Sequence, residues 1–459
     1  MQQRYKLIIT GFLFVSTLCL FFPGSYSIDS WHQWTEANTK HYDDWYGTGL
    51  ATTWRWLWLL TGKYMCLYVA QMLLYWTFIT LLLWQVKLRS FAWWLALVGA
   101  LFFCFIPQYV MRDSLTVLDW GLAAIFLIYA GWRPEGRRPE GQRPERRRLL
   151  AAFSLLLLAH GLWVRINAVI AFLPLVYIAI LLLEKNKMAV WKRWSITIAA
   201  AIVLVAGIQL FTYKVEKADS TFPEYKLKLL DLSGISKRSG ENCFPSAIKD
   251  FPAFRLDTLY ARYTAASIDD IYWPPANEKP IFPYPNDTLA SAVSKSWSSA
   301  IRRHPFDYLR NRVDGFLYYL RIRKRFSWDQ YWNVAVFFVY PDNPLSLKSD
   351  NTFLKRKIIA AYGHFYRTPI YDPWFWLLLN IAAFALFTHN YRKTSRSDRQ
   401  YWLIHAGIQL SGILFLFSQV LVYQHDRDFR YSYWNVFVAF LAFAGIFAKR
   451  QRAGFSPAP

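Results

Sequence analysis

The chain reads as an all-α polytopic membrane protein: about ten transmembrane helices with a small, mostly helical exoplasmic domain. Three observations predict it. Of the 459 residues, 55% are hydrophobic and 19% aromatic. The apolar residues sit in long runs instead of a core-and-surface pattern. The loops between the runs alternate between short basic pieces and acid-containing ones. The formal net charge is +23. Because Arg and Lys cluster beside the apolar runs, a positive-inside bias accounts for it and a nucleic-acid partner is not needed.

The runs fall at roughly 5–22, 64–86, 90–106, 115–131, 149–164, 166–184, 195–213, 373–389, 401–423 and 431–448. The first, Tyr5 to Phe22, resembles a signal peptide. No A-x-A-like site follows it and more spans do, so it reads as an uncleaved first helix. Only "WVRIN" interrupts 149–184, which is either two spans or a re-entrant hairpin. One set of loops holds Arg4/Lys6, Lys87/Arg89, "RPEGRRPEGQRPERRR", "EKNKMAVWKRW", "YRKTSRSDRQ" and "KRQR", and is expected in the cytoplasm. The Arg/Pro/Gly repeat in it is a solvated loop near lipid headgroups. The other set holds 23–62, "PQYVMRDS", "VRIN", 214–372 and "QHDRDFR", and is expected outside.

Three units follow: 1–213, an N-terminal transmembrane module with its first outer loop at 23–62; 214–372, the exoplasmic domain; and 373–459, the C-terminal helices. In the middle unit "WPPANEKPIFPYP" predicts loops. "SSAIRRHPFDYLRNRVDGFLYYLRIR" has helical spacing and a basic face, and is expected to lie partly on the membrane surface. Asn286 starts an N-D-T sequon, meaningful only in a eukaryotic secretory setting. Cys19, Cys66 and Cys104 lie in apolar runs and Cys243 stands alone, which suggests neither a disulfide framework nor a metal cluster.

The outer loops collect ionisable residues from distant parts of the chain: Asp29, His32, Glu36, His41, Asp43 and Asp44; Arg112 and Asp113; Arg165 beside Asn167; Asp219 and Asp231; and His425 to Arg430. Charge at membrane depth is costly and points to function. A carboxylate can take a proton from a hydroxyl nucleophile, and arginines can hold a phosphate leaving group bidentately. A sugar joined to a lipid phosphate would use both. Asp29 is the candidate base, with a helix cap as the plain alternative. Arg112, Arg165, Arg427 and Arg430 are candidate phosphate ligands, although Arg112 and Asp113 could form a local ion pair, Arg165 could pair with an internal acid such as Asp113, and Arg427 and Arg430 could be snorkelling anchors. Asp43 and Asp44, with His41 adjacent, are candidates for a divalent cation (Mg2+ or Mn2+) or for the acceptor. His32, Asp113, Asn167 and Asp231 complete the substrate-binding candidates.

"FPGSYSIDSWHQW", with its acid just beyond a single helix, resembles the GT-C superfamily of integral-membrane glycosyltransferases, and P-G-x-x-x-x-D-S is similar to its bacterial members. "MRDS", "VRINAVIAFLPL", "DLSGIS" and "RYSYWNVF" fit the same proteins, so the resemblance covers the whole topology. It implies a GT-C-like fold, a polyprenyl-phosphate sugar donor and a first-loop Asp as base. It further implies an inner-membrane location with the site facing the periplasm. The protein O-mannosyltransferase branch carries an Asp-Glu pair where Ser30 follows Asp29 here, so carry-over from that branch stops at the single Asp. One base and direct displacement imply inversion at the sugar. The acceptor would be a surface glycan, lipopolysaccharide or a protein such as a pilin. A polysaccharide polymerase or ligase, or a transporter of lipid-linked glycan, is the alternative. A transporter would carry mid-helix charges and two similar halves. A polymerase or ligase would place its arginines mainly in the long loop.

Overall fold

A computed structural model describes residues 2–86, 90–131, 144–184, 188–272, 280–323, 337, 339–348, 352–365, 368–394, 396–422 and 428–453. Helix α1 (Gln2–Phe21) is followed by a tight turn at Gly24, whose φ is +105° and whose missing Cβ would lie 2.9 Å from the Tyr68 ring. Only glycine fits there. Ser27 caps α2 (Ile28–Thr39) in a reciprocal pair with Ser30, which places Asp29 in its first turn. Lys40 ends α2 in the left-handed conformation, at φ 63°. Helix α3 (Gly49–Thr61) closes at Gly62, and α4 (Cys66–Trp84), α5 (Phe91–Phe102), α6 (Phe105–Gln108) and α7 (Arg112–Gly131) follow.

Helix α8 (Pro144–Val164) begins on a proline, which suits the first helical position. It breaks at Arg165, whose φ/ψ of −143°/82° is not helical. A 3-10 turn over Ile166–Ala168 leads into α9 (Val169–Leu183), so 149–184 holds two helices. Helix α10 (Val190–Leu210) continues into a π turn, Phe211–Val215. The repeat before α8 lies outside the described residues as far as position 143.

Helices α11 (Pro223–Ser239), α12 (Ser246–Lys249), α13 (Leu256–Arg262), α14 (Asp269–Tyr272), α15 (Asp287–Arg303) and α16 (Pro305–Tyr319) build a second core around Tyr225, Leu229, Leu232, Phe244 and Val293. The Asn286 side chain caps α15, accepting from the Leu289 amide at 2.9 Å. Helix α17 (Phe353–Phe365) packs elsewhere: Tyr362 lies against Phe102 and Phe105 of the bundle. The stretch 214–372 therefore has two packing partners. The chain ends with α18 (Pro373–Lys393), α19 (Arg396–Val422) and α20 (Tyr433–Ala453).

Among the described residues the fold is all-helical, apart from isolated bridges such as Ser25 with Tyr109, and nine helical stretches are long and apolar enough to cross a membrane. The run expected at 373–389 is helical within α18 but is not among the nine. Helix α7 is the centre of the bundle, with 89% of its span buried, whereas α10 is peripheral at 17%.

The start of α3 rests on the end of α8. A Cβ at Gly49 would sit 2.6 Å from the Trp163 carbonyl oxygen, backbone that cannot give way. Gly49→Ala should cost roughly 1–3 kcal/mol, read as a lower melting temperature of the purified protein in detergent. An unchanged melting temperature would show that α3 can shift without loss.

Candidate functional site

A cavity of about 1160 Å3 opens between the first loop, the start of α7, the α8–α9 break, the end of α10, the start of α11 and the turn before α20. Asp29 lines it. The Tyr46 hydroxyl donates to Asp29 Oδ1 at 2.6 Å, and Arg430 Nη1 donates to Oδ2 at 2.8 Å. Burial pushes the Asp29 carboxyl up, but the Arg430 guanidinium, the Tyr46 hydroxyl and Arg112 outweigh it, and Asp29 stays below the ordinary aspartate value. It is therefore ionised at neutral pH. Arg112 Nη1 donates to the Tyr46 carbonyl at 2.9 Å, and its guanidinium stands 5.1 Å from the Tyr46 ring centre.

Arg430 sits in the 3-10 turn Phe429–Ser432 and also faces Asp428 at 3.0 Å and Asp113 at 3.9 Å. Arg165 occupies the α8–α9 break and pairs with Asp113, both almost fully buried. Its guanidinium lies 4.9 Å from the Tyr431 ring centre, and that of Arg430 lies 5.2 Å from the same ring. Asp113 thus pairs with Arg165 across the bundle and not with its neighbour Arg112. Among the described residues, Arg165 and Arg430 are paired with the carboxylates Asp113, Asp29 and Asp428, and Arg112 stands close enough to Asp29 to lower its pKa. A guanidinium has several N–H donors, and one carboxylate does not exhaust them. Asn167 lines the cavity from the turn after Arg165.

Asp44 is a tether. Its Oδ1 accepts from the Thr221 amide and hydroxyl, each at 2.7 Å, and its Oδ2 accepts from the Tyr213 hydroxyl at 2.8 Å. Those donors engage both oxygens of Asp44. His41 faces Asp219 at 3.0 Å, both exposed. Asp43 instead joins His32 and Glu36: His32 Nε2 lies 2.8 Å from Asp43 Oδ2 and 3.9 Å from Glu36 Oε1. The ligand atoms of these three lie within 4.8 Å of one another, and Glu36 Oε2 is buried with no hydrogen-bond partner. One imidazole and two carboxylates fit a divalent cation, with the nitrogen favouring Mn2+ over Mg2+. The hydrogen bond to Asp43 raises the His32 pKa, and burial raises Glu36 to about 7.

Asp231 is not in this cavity. It is buried in the second core, bound by Arg312 and by Trp297 Nε1 at 2.8 Å, so it holds that core together. His425, Asp426 and Arg427 lie outside the described residues. Sequence reasoning did not select Tyr46 or Lys226. Lys226 lines the cavity, its Nζ 3.9 Å from the Trp45 ring centre and 4.4 Å from that of Tyr272. Burial lowers its pKa to about 8. An isolated Tyr or Lys carries no spacing signal that would have found either.

Two outcomes follow from these pairings. Arg165→Ala strands the Asp113 charge and should lower stability by roughly 3–5 kcal/mol. Adding Asp113→Asn should recover part of the loss, both read from denaturation in detergent; no recovery would mean that the two do not act as a pair. Glu36 has a raised folded pKa, so the folded state binds its proton more tightly. The stability this supplies is full below the unfolded value of 4.5 and is lost as pH rises through about 7. Glu36→Gln should therefore exceed wild type by on the order of 2–3 kcal/mol at pH 8. The advantage should disappear near pH 4.5, and melting curves at the two pH values check the sign.

Comparison of the chain with protein-family models, curated proteins and solved structures finds no match.

Proposed function

We propose that this protein is a membrane glycosyltransferase that moves a sugar from a polyprenyl-phosphate donor to an acceptor hydroxyl. The observation that carries the reading is Asp29. It is an ionised carboxylate in a large cavity at the helix ends, bracketed by Arg430 and Arg112. Asp29 takes the proton of the acceptor hydroxyl. The oxygen attacks the anomeric carbon, and the lipid phosphate leaves from the opposite side with inversion. Arg430, Arg112 and Arg165 face the phosphate. A donor phosphate that engages Arg430 draws that cation away from Asp29, so the carboxylate's proton affinity rises as the donor binds. That coupling answers the objection that a tightly held carboxylate is a weak base. A cation held by His32, Glu36 and Asp43 would add charge stabilisation beside the same cavity.

The basic loop ends, such as Arg392 and Lys393 at the end of α18, support placing the opposite face and its cavity outside the membrane. In a bacterium that is the periplasmic side of the inner membrane. The acceptor class is a surface glycan, lipopolysaccharide or a protein such as a pilin.

A second reading, a transporter of lipid-linked glycan, has one observation behind it. Asp119 and His160 pair at 2.7 Å within the spans, with the Thr53 hydroxyl 3.0 Å from the other ring nitrogen. Such a pair can relay protons. The ligase alternative gains less, because Arg238, Arg312 and Arg323 of the second core are already engaged by Asp314 and Asp231.

The test is transfer from a polyprenyl-phosphate sugar by purified protein. Asp29→Asn should cut turnover by at least ~100-fold, the scale of a general base. Tyr46→Phe removes a hydrogen bond that favours the Asp29 anion. It should therefore move the acid limb of the pH–rate profile to higher pH while leaving a folded enzyme. Normal transfer by folded Asp29→Asn would end the glycosyltransferase reading. Donor flipping without transfer, sensitive to His160→Ala, would select the second.

A further inference from the structure

Cys243 gave no sign of a metal centre in the sequence, but the fold supplies it with partners. Helix α11 ends at Gly240, in the left-handed conformation at φ 76°, and the next turn presents Glu241 and Cys243. Helices α15 and α16 meet at His304, whose φ of −129° turns the chain between them. The two corners abut. His304 Nε2 lies 2.8 Å from Glu241 Oε2, and the ligand atoms of Glu241, Cys243 and His304 all lie within 4.8 Å of one another.

We propose that Glu241, Cys243 and His304 form a binding site for a zinc-type divalent cation, separate from the cavity and independent of the transferase reading. One thiolate, one imidazole and one carboxylate is a borderline-soft donor set, which selects zinc over magnesium or calcium. Tetrahedral zinc with bonds of ~2.0–2.3 Å needs ligand atoms about 3.3–3.7 Å apart. The widest spacing must therefore close by about 1–1.5 Å, and the His304–Glu241 pair, now 2.8 Å apart, must open slightly to admit the ion. The surroundings fit the role. His304 Nδ1 is 3.9 Å from Asp307 Oδ2, longer than a hydrogen bond but a carboxylate on the same imidazole. Arg303 holds the other Glu241 oxygen, Oε1, which leaves Oε2 toward the site. The Ser236 hydroxyl accepts from the Cys243 amide at 3.0 Å and fixes the backbone from which the thiol projects. Cys243 is buried while Glu241 is exposed, so the metal enters from the Glu241 side and a water completes the fourth position. Binding releases the thiol proton to solvent and replaces the His304–Glu241 hydrogen bond with two metal bonds. The cation then staples the end of α11 to the α15–α16 corner, on the opposite end of α11 from the residues that line the cavity.

The probes are zinc and cobalt on the full-length protein in detergent. Wild type should hold one equivalent of zinc more than Cys243→Ser after dialysis. After chelation and refilling with cobalt it should show a near-ultraviolet thiolate-to-cobalt band. Cys243→Ser should lose that band, and His304→Ala should weaken binding. Chelation should lower the melting temperature of wild type and leave Cys243→Ser unchanged. The His32 cluster contains no thiol and is silent in this band. Absence of the band in wild type, or zinc content unaffected by Cys243→Ser, overturns the proposal. So does zinc that chelators remove without a thermal effect, an adventitious ion only. If Cys243→Ser fails to fold, wild-type alkylation decides: zinc should slow modification of Cys243 by iodoacetamide, and equal rates with and without zinc reject the site.

Discussion

Asp29 and Arg430 are separated by 401 positions and joined by a 2.8 Å hydrogen bond. Charge at the ends of apolar helices must be met by opposite charge, and little solvent is available there to do it. Each guanidinium therefore dictates a tertiary contact. Arg165, in the break after α8, needs Asp113 at the start of α7. Arg430, at the entry to α20, needs Asp29 and Asp428. Tyr431 is shared by the faces of Arg165 and Arg430. Satisfying these demands brings the first loop, α7, the α8–α9 break and the last helix to one place. Helix α7 becomes the centre of the bundle partly because Asp113 stands at its head.

The same pairing shapes what the cavity can bind. Among the described residues, the guanidiniums of Arg165 and Arg430 are each already held by carboxylates. The cluster offers cations that are already positioned by their carboxylates. An anionic group that entered here would have to exchange partners with the carboxylates, and Asp29, held by Arg430, would feel it. A cavity with unopposed arginines would bind phosphate more strongly, but it would leave the neighbouring carboxylate as a permanently depressed base.

Much of the scaffold was legible because membrane spans depend on local composition. The long apolar runs became helices, and "WVRIN" became a break, since Arg165 cannot continue unpaired through an apolar stretch. A helix at Asp29 was legible only as the plain alternative in which Asp29 is the cap; the cap is Ser27, paired with Ser30, and Asp29 stands in the first turn. Most partners were not legible. Arg165 announced that something must meet its charge, either a phosphate or an internal acid such as Asp113, and the structure supplies Asp113. Asp44 looked like half of an acidic pair until Tyr213 and Thr221, more than 160 positions on, claimed its oxygens. Asp231 sat in a suggestive motif, yet Arg312, 81 positions away, drew it into the second core. Pairing is set by tertiary geometry, which periodicity and composition do not encode.

The cavity wall also depends on how the second core is fastened to the bundle. On one side, Asp44 grips the backbone and hydroxyl of Thr221 at the entry to α11, and the Lys226 ammonium lies against the Trp45 ring. On the other, the Tyr319 and Ser432 hydroxyls meet at 2.9 Å, and Phe316 lies over Phe417 of α19. The second attachment is held by an apolar cluster of Tyr319, Leu320, Leu377, Leu416 and Tyr431, which opens only by exposing that surface. The first is mainly polar and close to solvent, where water can replace the donors of Asp44 at little net cost. If the second core moves to admit a large acceptor, it should pivot about the α16–α19 contact and release the Asp44 end. That movement would widen the cavity beside Lys226 while leaving Asp29, Arg430 and the buried Asp113–Arg165 pair in place. The polar tether thus sits where motion would be useful, and the apolar one sits where the charge network needs a fixed frame.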